Sequence, residues 1–123
     1  MLYSMDDSHD RYIRITVAGS LEATSMSEAI SRLMRHPDYD IKHSYWDCRK
    51  AVMGMTLSDL TEIVRVFNMY KPETEVFANR SAILVAGEVN RSMVKMFISA
   101  VKMFKFNFRV FTVPGEAEAF LCA

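Results

Sequence analysis

The sequence predicts an α/β protein: four strand–helix units in a right-handed superhelix, with a mostly parallel sheet of four to five strands and helices mainly on one face. Three observations predict it. A short extended run is followed by a helical run four times along the 123 residues. Repeated units of this kind build parallel sheets with right-handed crossovers. In the first, second and fourth strands one set of side chains is markedly polar: Arg14 and Thr16, Lys42 and Ser44, Asn107 and Arg109. A sheet covered on both faces reads instead as continuous apolar runs, so one face here is expected to be partly wet.

The first strand is Arg11–Val17, where Ile13, Ile15 and Val17 alternate with Tyr12, Arg14 and Thr16. Gly19 breaks it, and Ser25 with Glu28 reads as a capping box for a helix striped by Met26, Ile30, Leu33 and Met34. Pro37 stops that helix. The second strand is read at Tyr39–Trp46, followed by a helix over Leu57–Tyr70 that opens on Thr56 and Asp59. Leu57, Leu60, Val64 and Phe67 form its apolar stripe, and Pro72 ends it. The third strand, Ser81–Ala86, is apolar on both faces and belongs at the sheet centre. Gly87 leads into a Met-rich helix with Asn90 as its N-cap. The fourth strand is Phe106–Phe111, and Pro114 begins a short helix ending near Leu121. Leu2–Met5 can add a strand antiparallel to the first through the turn DDSHD. A chain of this length is expected to form one domain over residues 1–123.

Composition narrows the function. Fifteen basic and fifteen acidic side chains cancel, so no overall field draws in nucleic acid or an anionic membrane. No apolar run approaches the roughly 18 residues of a membrane span, and the acidic start, MLYSMDDSHD, does not read as a secretory signal. Cys48 and Cys122 are too few for a disulfide scaffold, which points to a reduced, cytoplasmic protein.

The Met-rich helix carries more apolar surface than one sheet contact needs. Met93, Met96, Phe97, Ala100, Val101, Met103 and Phe104 fall on one broad arc, which Val94 and Ile98 widen. A central helix between two neighbours accounts for most of this. Val94, Ile98 and the Met103 edge are the residues least needed by a core, and so candidates for a dimer contact or an apolar ligand. Residues 89–111 also hold Arg91, Lys95, Lys102, Lys105 and Arg109 with no acid. That is either a solvated strip or a seat for an anionic partner. At the carboxyl ends of strands, where parallel sheets meet ligands, the polar groups are Asp47, Arg49, Asn90 and Arg91. Each also has an ordinary role as a cap, a loop anchor or half of an ion pair.

No catalytic constellation emerges. His43 and Cys48 would point to opposite faces of a strand, so they form no nucleophile–base pair, and a buried, inert thiol is expected. His9, His36 and His43 fall in three separate elements without metal-ligand spacing, so no metal is expected. Phosphate-cradling and nucleophile-elbow motifs are absent, and no cofactor is implied.

The runs YWDCRKA, TLSDLTEI, RSAILVAGEVNRSMVKMF and FRVFTVPGEAEAFL resemble the small bacterial STAS-like proteins, which share the SpoIIAA-like fold and are STAS/CRAL-TRIO-related. The resemblance covers the chain from about residue 10 onward, and implies a four-unit βα superhelix. Anti-sigma-factor antagonists of this fold are switched by phosphorylation of a Ser following a strand-end Asp. Here Asp47 is followed by Cys48 and Arg49, with no Ser or Thr before Thr56, so that switch does not carry over. Lipid-binding relatives of the CRAL-TRIO type enclose an apolar cavity, for which a chain this short has little volume. Taken together, the expectation is a non-catalytic interaction module, acting through a protein partner or as a homodimer, with no role for nucleic acid. The alternative is a protein for an apolar small molecule or lipid, lined by Met93, Met96, Phe97 and Met103, with Arg91 or Lys95 at a headgroup.

Overall fold

Strands lie side by side in the order in which the chain makes them. The computed structural model describes residues 1–52, 54–69, 79–87, 95 and 107–123. Its five-stranded sheet runs β1 (Leu2–Asp6), β2 (Tyr12–Ser20), β3 (His43–Val52), β4 (Arg80–Leu84) and β5 (Asn107–Phe111). β1 is antiparallel to β2 and every other pair is parallel. Helices α1 (Ala23–Met34), α2 (Leu57–Met69) and α3 (Pro114–Cys122) complete the described elements. The mostly parallel sheet and the added N-terminal strand are as the sequence predicts.

Alternation sorts the side chains. On one face, Ile13, Ile15 and Val17 of β2 join Trp46, Cys48, Ile83 and Val85 beneath Ala29, Ile30 and Leu33 of α1 and Ile63 of α2. Burying each large aliphatic side chain contributes about 1.5–3 kcal/mol, so this layer dominates the stability. On the opposite face, Tyr12, Tyr45, Ala82 and Leu84 pack under Ala117 and Leu121 of α3. The helices thus gather mainly on one face, and α3 alone of the three described crosses to the other. Arg80 holds it there, donating through Nη1 to the carbonyls of Phe120 (3.0 Å) and Ala123 (3.1 Å). A cation at a helix C-terminus also meets the negative end of the helix dipole. The guanidiniums of Arg80 and Arg109 both stand over the Phe120 ring, at 5.8 and 5.0 Å from its centroid. α3 lies mainly over β3, β4 and β5 and reaches Tyr12 at the start of β2, and among the described residues no helix covers the rest of the β1–β2 side of this face.

Three local expectations are corrected. β3 begins at His43 rather than Tyr39, because 39–42 close a turn in which the amides of Ile41 and Lys42 both donate to the Asp38 carbonyl. It then continues to Val52, through residues expected to form a loop. Ser44 lies on the core face opposite Ile13, fully buried, and not on the wet face. α1 starts at Ala23 with Glu22 as its N-cap and no side-chain cap bond, so Ser25 and Glu28 are not its capping box. The chain leaves the sheet early, its last pairing being the Leu21 amide on the Val52 carbonyl (2.9 Å), and the helix starts at once. Glu28 serves elsewhere, accepting from the Tyr3 hydroxyl (3.0 Å), which in turn accepts from Arg32 (3.1 Å) and ties β1 to α1.

The second capping box forms as expected. The Thr56 amide donates to Asp59 Oδ2 (2.8 Å) and the Asp59 amide to Thr56 Oγ1 (3.2 Å). Pro114 sits in the first turn of α3. The stripe side chains of Leu57, Leu60, Val64 and Phe67 lie outside the described residues.

Candidate functional site

The open part of the second face centres on one carboxylate. Arg14 of β2 pairs with Tyr45 of β3, and Thr16 with Asp47, so Arg14 and Asp47 sit diagonally on one face. Arg14 Nη2 donates to Asp47 Oδ2 at 2.7 Å. Arg49 grips the same group from its own strand, with Nε on Oδ1 at 3.0 Å and Nη2 on Oδ2 at 2.8 Å. The fork lies at a bulge: the register jumps from Thr16↔Asp47 to Ala18↔Lys50, giving β3 one extra residue. The bulge also returns Lys50 to the face of Asp47. Arg14, Thr16, Val17, Asp47, Arg49 and Lys50 line a depression of about 440 Å³.

The Asp47 side chain is only 7 % exposed, against 35 % for Arg14 and 44 % for Arg49. Bonds from Arg49, and then from Arg14, hold its carboxyl well below the usual carboxylate range despite its burial. The same bonds raise both guanidiniums. This is a stably ionised group, unsuited to passing protons at neutral pH. Arg14 also lies 5.1 Å from the centroid of the Tyr45 ring. Burial raises the Tyr45 and Tyr12 phenols.

Cys48, beside Asp47 in sequence, turns to the core face. Burial, and then the neighbouring Asp47 charge, push its thiol up to about 12. His43 lies on the Asp47 face, so the two do not meet, as expected.

Of the residues singled out from the sequence, the fold brings Asp47 and Arg49 into direct contact. Both stand within β3 rather than at its carboxyl end. Asn90, Arg91, Met93, Val94, Met96, Phe97, Ile98 and Met103 lie outside the described residues. Sequence reasoning missed Arg14 and Lys50 as members of the cluster. Arg14 carried a signal, as a cation on the polar alternate of β2, but its partner is 33 positions away. A second group also escaped notice. Asp7, His36 and Asp38 have ligand-type atoms within 4.8 Å of one another. His36 Nε2 lies 3.0 Å from Asp7 Oδ2, and its Nδ1 accepts from the Asp38 amide at 3.0 Å. Lys42 Nζ donates to the Asp7 carbonyl (2.8 Å) and lies 3.6 Å from Asp38 Oδ2. Both ring nitrogens are engaged and an ammonium already sits among the carboxylates, so the group acts as a clasp between two loops.

No family model matches the chain, and no curated protein does. Solved structures do. An uncharacterized protein of the DUF3478 family with a SpoIIAA-like fold, from Shewanella loihica PV-4, aligns with a TM-score of 0.61 at 16% identity, covering 98% of this chain and 93% of that one. The chain has a SpoIIAA-like fold. An anti-sigma factor antagonist from Mycobacterium paratuberculosis aligns with a TM-score of 0.66 at 13% identity, covering 99% of this chain and 94% of that one. The resemblance to STAS-like proteins therefore holds at the level of the fold. Within the SpoIIAA-like frame the Asp47 cluster lies on the sheet face opposite α1 and α2. Among the described residues no helix is long and apolar enough to cross a membrane.

Proposed function

We propose that this chain is a STAS-type regulatory module of the cytoplasm that works through protein contacts, including contacts with a second copy of itself, and performs no chemistry of its own. The observation that carries this reading is the state of the Asp47 cluster. Its one carboxylate is locked by two guanidiniums, and the adjacent Cys48 is buried with a thiol too basic to serve as a nucleophile. What remains for such a surface is recognition. The shared fold with an anti-sigma factor antagonist, a protein named for its action on a regulatory pathway, supports a regulatory role.

Self-association is assigned to Val94 and Ile98, which with the Met103 edge are the residues least needed by a core. Light scattering of the full chain tests it. The wild type is expected at the mass of a dimer, and Val94→Glu or Ile98→Glu at that of a monomer, with unchanged far-UV circular dichroism. A wild-type monomer at high concentration removes the homodimer. An apolar small molecule retained in native mass spectrometry would instead favour a ligand carrier lined by Met93, Met96, Phe97 and Met103.

A further inference from the structure

We infer that the open half of the second sheet face, from β1 to β3, is a docking surface for an extended acidic segment of a partner protein. This rests on the interaction-module reading and gives it a place and a chemistry. The register sets the surface out in rows. Asp6, Arg14 and Tyr45 form one, Ser4, Thr16 and Asp47 the next, then Leu2, Ala18 and Lys50, and finally Ser20 and Val52. α3 covers the Tyr45 end and leaves the other rows uncovered among the described residues.

Charge selects the occupant. The depression holds Arg14, Arg49 and Lys50 against the single carboxylate of Asp47, in a chain whose net charge is zero. Asp6 on β1 and Glu118 on α3 stand toward the Arg14–Tyr45 end, so the excess positive charge collects at Arg49 and Lys50. Lys50 makes no ion pair among the described residues. Each guanidinium has five N–H donors, of which the cluster uses one on Arg14 and two on Arg49 for Asp47. Asp47 thus fixes both forks in place and leaves donors for a second carboxylate, the preorganised geometry that charge-assisted recognition favours.

Apolar flanks narrow the partner further. Leu2 and Val52 lie on this face at 78 % and 63 % exposure, on either side of Lys50. A strand-like segment with carboxylates on alternate residues and aliphatic side chains beside them meets both features.

The test is amide-shift mapping by NMR on the 15N-labelled full chain. The probes are a synthetic peptide alternating Glu with Leu, and the same peptide with Lys in place of Glu. The acidic peptide is expected to shift amides in residues 2–6, 14–20 and 47–52, and the basic one to shift none. Lys50→Glu leaves the Asp47 lock intact and should weaken binding at least about tenfold without lowering the melting temperature. Added salt should weaken it similarly. Equal response to both peptides, shifts mapping elsewhere, or indifference to Lys50→Glu overturns the inference. So does equal affinity for inorganic phosphate, which would mark a small-anion site. Sedimentation with anionic phosphatidylserine vesicles that depends on Arg49 overturns it too, in favour of a membrane. In cells, a photocrosslinker at Val52 is compared with one at Ile41, which is exposed in the turn that precedes the other end of β3. Crosslinks to protein from Val52 support the surface. Crosslinks from Ile41 alone keep the module reading and reject this surface, and none from either rejects both.

Discussion

The Nδ1 atom of His43 accepts the backbone amide of Arg80 at 2.8 Å, across the junction of β3 and β4. That bond requires a ring unprotonated at Nδ1. Burial, and then the Arg80 and Arg11 charges, lower the His43 pKa. The unfolded chain therefore takes up this proton first as pH falls. Stability should be full above about pH 7 and decline toward pH 5, the range in which an ordinary imidazole titrates. Chemical denaturation across that range measures it. His43→Gln is expected to flatten the slope, and a slope unchanged by the substitution would assign it to other groups.

Asp47→Ala should be among the most damaging single changes on the second face. It leaves Arg14 and Arg49 facing each other without the carboxylate that both grip. Loss of one partner of a buried pair costs about 3–5 kcal/mol, and the half-exposed guanidiniums here reduce that to about 2–3 kcal/mol. Calorimetry should show a fall of the order of 10 °C for a chain of this size. Because the folded carboxyl titrates well below its ordinary value, this contribution is complete above about pH 5. It disappears only as pH drops through the depressed value. A loss of under about 1 kcal/mol would mean that the guanidiniums are satisfied by water.

Ser44 presents the opposite case. Its hydroxyl is fully buried and finds no hydrogen-bond partner among the described residues. An unmet buried hydroxyl costs about 1–3 kcal/mol. Ser44→Ala is therefore expected to leave stability unchanged or to raise it by about 1 kcal/mol, read from the urea midpoint. Clear destabilisation would show that the hydroxyl is bonded.

The two cysteines should separate cleanly. Cys122 is exposed at the end of α3, whereas Cys48 is buried with its thiol raised to about 12. Iodoacetamide at neutral pH should add one label to the native chain and a second only in denaturant, as counted by mass spectrometry. A second label on the native chain would contradict the burial.

Much of this fold was legible in the sequence because alternation and helix periodicity are local signals. Ile13, Ile15 and Val17 announce β2 without reference to anything else, and Thr56 with Asp59 announce α2. The pattern failed where a distant partner decides the outcome. In β3 the bulge breaks the period of two, so Asp47–Val52 read as loop. Ser44 was set on the wrong face because its polarity grouped it with Lys42, which lies in the preceding turn. α1 has no capping box at Ser25 because the helix already starts at Ala23, and Glu28 is held instead by the Tyr3 hydroxyl of β1. The side that α3 chooses depends on Arg80 and Arg109, which no feature of its own short sequence specifies. For the candidate site, Asp47 and Arg49 stood out as strand-associated charges. Arg14 and Lys50 joined them only once register and bulge were known.

That spatial order repeats chain order has a consequence for biosynthesis. A polypeptide leaving the ribosome N-terminus first brings out each parallel strand after the neighbour on which it adds, so the sheet can grow by accretion without waiting for a distant segment. The exception is α3. Until that stretch emerges, Tyr45, Ala82 and Leu84 lack their cover on the growing surface, and a nascent chain stalled before Pro114 would present an oily patch that the folded protein hides.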